Sequence, residues 1–262
     1  MRADLYLLQK GYADSRTLAQ KLIADGAVTL DGRVIRKPSE EISEGEHAVC
    51  VAATPDTRYV SRGGLKLEAA IAAFHPPVAG ARVADIGAST GGFTDCLLQN
   101  GAACVYAVDA GHGQLHPRLR ADCRVRVAEG LNARSITPAD LSRMEDEWCA
   151  AHADPPSDFV GTVDGCVMDV SFISQTLIHP ALAGVVRDGG WLITLIKPQF
   201  ELTASALGKG GVVKRDKDRK TAVDRVLASA ALCGFTSVAV IPSPIEGGDG
   251  NIEYLAYFHK NS

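Results

Sequence analysis

The sequence predicts a doubly wound, mostly parallel α/β sheet of Rossmann-like type, preceded by a small α+β unit. Two observations carry that expectation. From Arg82 onward, short apolar runs alternate with helical stretches, the pattern of parallel strands joined by crossover helices. Several of those runs end on a charged residue, and ligands of such sheets bind beyond the carboxyl ends of the strands.

Residues 83–86 form the first short buried strand, which runs into a Gly-rich turn and a helix over 92–100. Residues 105–108 give a second strand ending at Asp109, and 123–127 a third. Residues 165–168 give a fourth ending at Asp169, and 191–196 a fifth ending at Lys197. Runs at 235–241 and 252–258 complete the set. The N-terminal unit reads differently. Leu5, Leu8 and Tyr12 have helical spacing, and Asp14 or Ser15 can cap a second helix that runs to Ala24 and stops at Asp25-Gly26. Residues 28–30 and 34–35 flank an Asp31-Gly32 turn and predict a tight hairpin, with a further strand in 47–52. A small, polar, proline-bearing stretch over 52–57 reads as a linker. Residues 59–71 then begin a helix, with Ser61 or the adjoining glycines at its mouth. The expected organisation is an N-terminal unit over 1–54, a linker over 55–62 and a sheet domain over 63–262.

At 262 residues, 46% hydrophobic and 22% charged, the chain has room for one or two ordinary globular domains. It lacks an apolar run of about 18 residues and an N-terminal signal-peptide pattern, so the expectation is a cytoplasmic protein with no membrane partner. Seven scattered cysteines, none in a CxxC pair, point to reduced thiols rather than zinc or a disulfide framework. The net charge of −4 argues weakly against nucleic acid, but its distribution matters more. Residues 1–37 hold seven Lys/Arg against four Asp, and residues 209–220 hold six Lys/Arg against Asp216 and Asp218.

The turn Asp85-Ile86-Gly87-Ala88-Ser89-Thr90-Gly91-Gly92-Phe93 follows a strand and opens a helix, the place where backbone N–H groups meet a ligand. A dinucleotide fingerprint would need glycine where Ser89 stands, which weakens that reading. S-adenosylmethionine needs no phosphate cradle. Asp109 suits ribose hydroxyls in either case, and Asn132 can border an adenine. Gly87-Ala88-Ser89-Thr90-Gly91 also spells the nucleophile elbow of hydrolases, but no downstream histidine is placed for a triad. His112 and His116 have i,i+4 spacing without the glutamate of a zincin, so no metal is expected. Lys66, Asp169, Lys197 and Glu253 stand out as ionisable residues at strand ends or on the preceding helix. Lys197 closes a long apolar run directly before a proline, where a lysine is seldom found without purpose.

Residues Arg2 to Pro38, with Ser15-Arg16 and Gly26-Ala27-Val28 as their most telling parts, resemble the S4 RNA-binding domain. Residues 59–258 resemble the FtsJ-like 2′-O-methyltransferases. The matching pieces are Ser61-Arg62-Gly63-Gly64-Leu65-Lys66, the turn from Asp85 to Phe93, Asp169-Val170-Ser171-Phe172, Lys197-Pro198-Gln199-Phe200-Glu201 and Gly250-Asn251-Ile252-Glu253. The whole chain thereby resembles the TlyA (hemolysin A) family. That resemblance implies a catalytic Lys-Asp-Lys-Glu tetrad of Lys66, Asp169, Lys197 and Glu253. It implies S-adenosylmethionine as cofactor, with Asp85, Gly87, Ala88, Ser89, Gly91, Gly92, Phe93, Asp109, Asn132 and Asp169 as binding candidates. Its implied substrate is cytidine ribose in 16S or 23S ribosomal RNA, with ribosomal RNA or subunits as partners. Arg2, Arg16, Lys21, Arg33, Lys37 and Arg62 are the candidate RNA contacts.

The chemistry suits these residues. A ribose 2′-hydroxyl is a weak nucleophile, and a lysine held beside a second cation can serve as base or steady the forming alkoxide. That role falls to Lys197, with Lys66 as the second cation and the two carboxylates orienting both lysines. Residues 145–163 read as a surface insertion. The competing readings are a ribosome-assembly factor that binds without reacting, a membrane-lytic protein and a dinucleotide oxidoreductase.

Overall fold

The computed structural model describes residues 1–13, 15–43, 45, 47–52, 58–155, 157–247 and 250–262. They form two compact units, Met1–Tyr59 and Val60–Ser262. Asp14, offered as a helix cap, and most of the expected 52–57 linker lie outside the described residues.

In the first unit, helices α1 (Ala3–Gln9) and α2 (Arg16–Ala24) pack beside a three-stranded antiparallel sheet. Its strands are β1 (Val28–Leu30), β2 (Arg33–Val34) and β3 (Val49–Val51), in the order β2-β1-β3. Ser15 caps α2, its hydroxyl accepting from the Leu18 amide at 3.1 Å. Asp31 and Gly32 both take positive φ, as the two-residue hairpin turn requires. The expected apolar face of α1 is wrong. Leu5, Leu8 and Tyr12 are each about two-fifths exposed, and the helix buries Ala3, Asp4, Tyr6 and Leu7 instead. The cause is Asp4. Its carboxylate is fully buried because Arg2, Arg16 and Gln20 all donate to it, so a polar residue heads the inward face. These donors hold the Asp4 carboxyl well below the usual carboxylate range, the Arg2 bond contributing most.

The second unit is a seven-stranded sheet with helices against it. Its strands are β4 (Arg82–Ile86), β5 (Cys104–Asp109), β6 (Val125–Glu129), β7 (Val163–Met168), β8 (Val186–Ile196), β9 (Phe235–Pro242) and β10 (Tyr254–Lys260), ordered β6-β5-β4-β7-β8-β10-β9. Only β10 runs against its neighbours. The helices are α3 (Gly63–Phe74), α4 (Gly92–Gln99), α5 (Pro117–Arg120), α6 (Pro138–His152), α7 (His179–Val185), α8 (Pro198–Glu201) and α9 (Asp216–Leu232). The chain enters at β4, winds outward to β6, then returns to β7 on β4's other side. That reversal opens a crevice between the carboxyl ends of β4 and β7. The third strand starts two residues later than expected, because Asp122 accepts from the Arg124 amide and holds 122–124 in a turn. Ser61 makes no cap to α3.

Residues 145–163 are a surface segment only in part, residues 150–155 being exposed while Glu145 and Cys149 are buried. The first part completes α6, and Glu145 is buried at the centre of a network. Its carboxylate accepts from Tyr106 Oη at 2.8 Å and from Arg126 Nε at 2.9 Å. Arg126 also stacks on Trp148, and Phe159 stacks on Tyr106. This network ties α6 to β5 and β6. Removing one partner leaves a buried arginine unpaired, so Glu145→Ala should lose on the order of 3 kcal/mol of unfolding free energy. Denaturant titration checks this, and a loss below about 1 kcal/mol would show that solvent already screens the network.

Candidate active site

The loop after β4 is shaped by close approaches. At Gly87 (φ +81°), a Cβ would lie 2.4 Å from the Asp169 carbonyl oxygen, so this position admits no side chain. Ser89 also takes positive φ, which a non-glycine residue holds only when its surroundings enforce it. Here its amide donates to Asp109 Oδ2 at 2.8 Å and its hydroxyl to Gln114 Oε1 at 3.0 Å. With Gln114 as partner and no histidine, the hydrolase-elbow reading has no geometry to support it. Gly92 has a second duty. A Cβ there would meet Ser61 Oγ at 2.3 Å and the Gly64 amide at 2.9 Å, so α3 and α4 start backbone against backbone. At Gly91 (φ +95°) a Cβ would run into the Leu115 and Leu119 side chains.

The four ionisable residues come together as two ion pairs. Lys197 follows β8 and stands before Pro198, which keeps it extended and out of α8. Asp169 follows β7, the parallel neighbour of β8, and its Oδ1 lies 2.6 Å from Lys197 Nζ. Lys66 on α3 donates to Glu253 Oε2 at 2.5 Å, just before β10. Glu253 is 2% exposed, and the side chains of both lysines 12%. Charges that far from water persist only when paired.

Two adjoining cavities meet at this point. The smaller, about 330 Å³, is lined by Ser61, Arg62, Lys66, Thr90, Lys197 and Glu246 among others, with Ala88 and Phe93 in its wall. The larger, about 510 Å³, is lined by Val108, Asp109, Gln114, Leu131, Asn132 and Ile178 among others. Gly87, Ser89, Asp169 and Ser171 belong to both. The larger cavity is flanked by aliphatic side chains with a carboxylate and an amide, a lining that suits a nucleoside. Among the described residues its lining holds no lysine or arginine. Beneath both lies Asp85, fully buried, with Oδ2 bonded to Thr94 and Oδ1 lacking a hydrogen-bond partner. Burial pushes its carboxyl up to about 7, and the nearby Asp169 and Asp109 add to the effect. With Asp109 and Asp169 on its lining, the larger cavity suits a cationic ligand better than a pyrophosphate.

Sequence reasoning missed three features around the tetrad. Ser171 Oγ accepts from Lys197 Nζ at 2.8 Å. Asn251 is buried and accepts from the Val213 amide at 2.9 Å, anchoring the glycine-rich loop beside Glu253's segment. Phe172 (φ +64°) is 91% exposed, its ring 5.2 Å from that of Phe200. Only Phe172 left a sequence signal, an aromatic directly after a polar strand end. Of the RNA candidates, Arg2 and Arg16 share Asp4, Arg33 pairs with Glu40, and Lys21 and Lys37 are exposed in the first unit. Arg62 belongs to the second unit and lines the smaller cavity. The 209–220 cluster is divided. Arg219 turns inward onto the Val213 and Lys214 carbonyls, while Arg215 and Lys220 pair with Asp218 and Asp224. Among the described residues, no group of three His, Cys, Asp or Glu side chains is placed for a metal.

Known proteins match this arrangement. The FtsJ-like methyltransferase family matches residues 59–260, and the S4 domain family matches residues 1–47. The chain is 41% identical over its full length to 90% of the 16S/23S rRNA (cytidine-2′-O)-methyltransferase TlyA of Mycobacterium tuberculosis. Over 98% of the chain it is 40% identical to Hemolysin A of Brachyspira hyodysenteriae, covering 99% of that protein. A solved structure described as a hemolysin from Streptococcus thermophilus aligns with a TM-score of 0.72 at 40% identity, covering 100% of this chain and 89% of that one. Joining an S4 domain to an FtsJ-like methyltransferase domain, the chain belongs to the TlyA (hemolysin A) family.

Proposed function

We propose that this chain is an S-adenosylmethionine-dependent methyltransferase acting on ribose 2′-hydroxyls of ribosomal RNA, with cytidine as the nucleotide. In this reading it works on ribosomal RNA or subunits in the cytoplasm. Residues 1–54 dock on RNA, 55–62 link, and 63–262 catalyse. The observation that carries it is the pair of lysine–carboxylate contacts, Lys66 and Lys197 both lining the smaller cavity and Asp169 the wall it shares with the larger.

When bound, S-adenosylmethionine supplies an electrophilic methyl carbon. Asp109 and Asn132 would hold its nucleoside part, while Gly87 lets backbone approach it and Asp85 lies behind as counter-charge. In its neutral amine form, Lys197 Nζ takes the proton of the 2′-hydroxyl and becomes the ammonium that Asp169 pairs, and Lys66 adds positive potential where alkoxide character grows. Asp169 and Glu253 keep each lysine at its post. The exposed Phe172 ring, with the half-buried Phe200 ring 5.2 Å away, offers a stacking face for a base taken out of its helix, the mode by which single nucleotides of RNA are read. A membrane-lytic reading finds less support, since no described helix is long and apolar enough to cross a membrane. Red-cell lysis by pure protein would revive it.

Three outcomes test the proposal. With ribosomal subunits lacking the modification and labelled cofactor, wild type should place label on a ribose 2′-oxygen, and Lys197→Ala should lose at least ~10²–10⁴-fold in kcat. Near-normal turnover by that variant would remove Lys197 from the mechanism, and no label from wild type despite bound cofactor would favour a pure RNA-binding role. Phe172→Ala should weaken kcat/KM for the subunit about 5- to 150-fold, the stacking contribution of one base. An unaffected kcat/KM would exclude the stacking face. A cationic ligand favours ionised Asp85, so cofactor affinity should rise with pH up to about 7 and level off above it. Calorimetry on wild type and Asp85→Asn checks this, and identical slopes in the two proteins would clear Asp85 of the role.

A further inference from the structure

We infer that Ser171 is a positioning residue that aims the Lys197 amine, separately from the charge that Asp169 supplies; the inference rests on the methyl-transfer reading above. Asp169 Oδ1 lies 2.6 Å from Nζ yet takes no aligned hydrogen bond from it. Ser171 Oγ, at 2.8 Å, accepts an aligned one. The two contacts do different work. Coulomb attraction depends on distance and barely on angle, whereas a hydrogen bond weakens steeply as it bends. Asp169 therefore sets how near the ammonium sits, and Ser171 sets which way it points.

The strand explains why one segment supplies both. β7 ends at Met168, and successive residues of an extended chain alternate sides, so 169 and 171 fall together while 170 turns away. The cavity linings agree: Asp169 and Ser171 border both spaces, and Val170 borders only the larger. At Phe172 the backbone swings to φ +64°, so Ser171 is the last residue the alternation can place. A lysine ammonium has three N–H donors, and its neutral amine keeps two and a lone pair. The serine oxygen can accept from either form, so it holds the nitrogen's orientation before and after the proton moves. Ser171 then fixes one N–H direction of Nζ, with Asp169 close by off any aligned bond, and the lone pair is left to face the hydroxyl to be deprotonated. Proton transfer requires that alignment, and misplacement by about 1 Å can cost ~10²-fold.

Wild type, Ser171→Ala and Ser171→Thr would be compared in methyl transfer to subunits, in cofactor affinity by calorimetry, and in acylation of Lys197 relative to Lys66 by mass spectrometry. Expected for Ser171→Ala is a kcat lower by about 10- to 100-fold, with KM for the subunit and cofactor affinity within about twofold. The threonine, which keeps the hydroxyl, should recover most of the loss. The freed Lys197 should acylate roughly fivefold faster relative to Lys66. An alanine variant with wild-type kcat overturns the inference. So does a loss that threonine does not restore, or one that appears as weakened cofactor binding, since either marks a merely structural role. Wild type inactive on every ribosomal RNA would sink the methyl-transfer reading instead. The acylation ratio then decides for Ser171, a raised ratio supporting it and an unchanged one overturning it.

Discussion

The Lys197–Asp169 ion pair joins the ends of two neighbouring parallel strands, and its geometry follows from their register. Met168 stands opposite Thr194, so the chains leave the sheet side by side, Asp169 first and Lys197 three residues beyond that register point. Because β10 runs antiparallel to β8, with Tyr254 opposite Ile196, its incoming end delivers Glu253 to the same rim. Lys66 then needs only the α3 approach that Gly92 and Gly64 permit. Four residues far apart in sequence become neighbours through strand order, one reversed strand and one close helix contact. None of these depends on loop flexibility, which is how a site keeps reacting groups aligned to fractions of an ångström.

Such a cluster strains the fold that carries it. Desolvating two lysines, two carboxylates and the nearby Asp85 opposes folding, and their mutual attraction offsets that only in part. Stability has to come from elsewhere. It is supplied by the sheet interior, where Ile86, Tyr106, Val108, Met168, Leu192, Ile196 and Phe258 are fully buried. The Glu145 network adds a second tie between α6 and the outer strands. The acidic loops and the structural ion pairs thus occupy different parts of one scaffold.

Much of this was legible because local chemistry and tertiary need coincide. Ser15 caps where its hydroxyl can, Asp31-Gly32 turns because both residues tolerate positive φ, and apolar runs ending in Asp109, Asp169 and Lys197 are strands ending at the site. Reading failed where a polar residue was buried by partners distant in sequence. Asp4 reverses the face of α1, and Glu145 is drawn into the interior from a stretch whose Ala150, Ala151 and Ala153 stay exposed. Hydrophobic periodicity cannot see either, since each depends on arginines elsewhere folding onto a carboxylate. The glycine pattern also could not separate duties: Gly92 lines the smaller cavity and at the same time clears space for a neighbouring helix. Ser171 was invisible for a related reason: a serine after a strand end is ordinary until its partner lysine is in place.

The charge on the cavity wall carries the argument about cofactor choice further than the glycine pattern does. Gly-rich turns after a first strand serve both dinucleotides and S-adenosylmethionine, so spacing separates them weakly. A carboxylate several ångströms from a unit charge is worth about 2–4 kcal/mol at an effective dielectric near 20. Lys197 offsets Asp169, but Asp109 has no cation among the residues lining the larger cavity. Burial raises the Asp85 carboxyl to about 7, so its charge can respond to what arrives. A cation draws it toward the ionised form and gains a second counter-charge. An anionic pyrophosphate drives it neutral and still meets Asp109. The wall therefore discriminates by sign, and it does so through residues that the glycine fingerprint never includes.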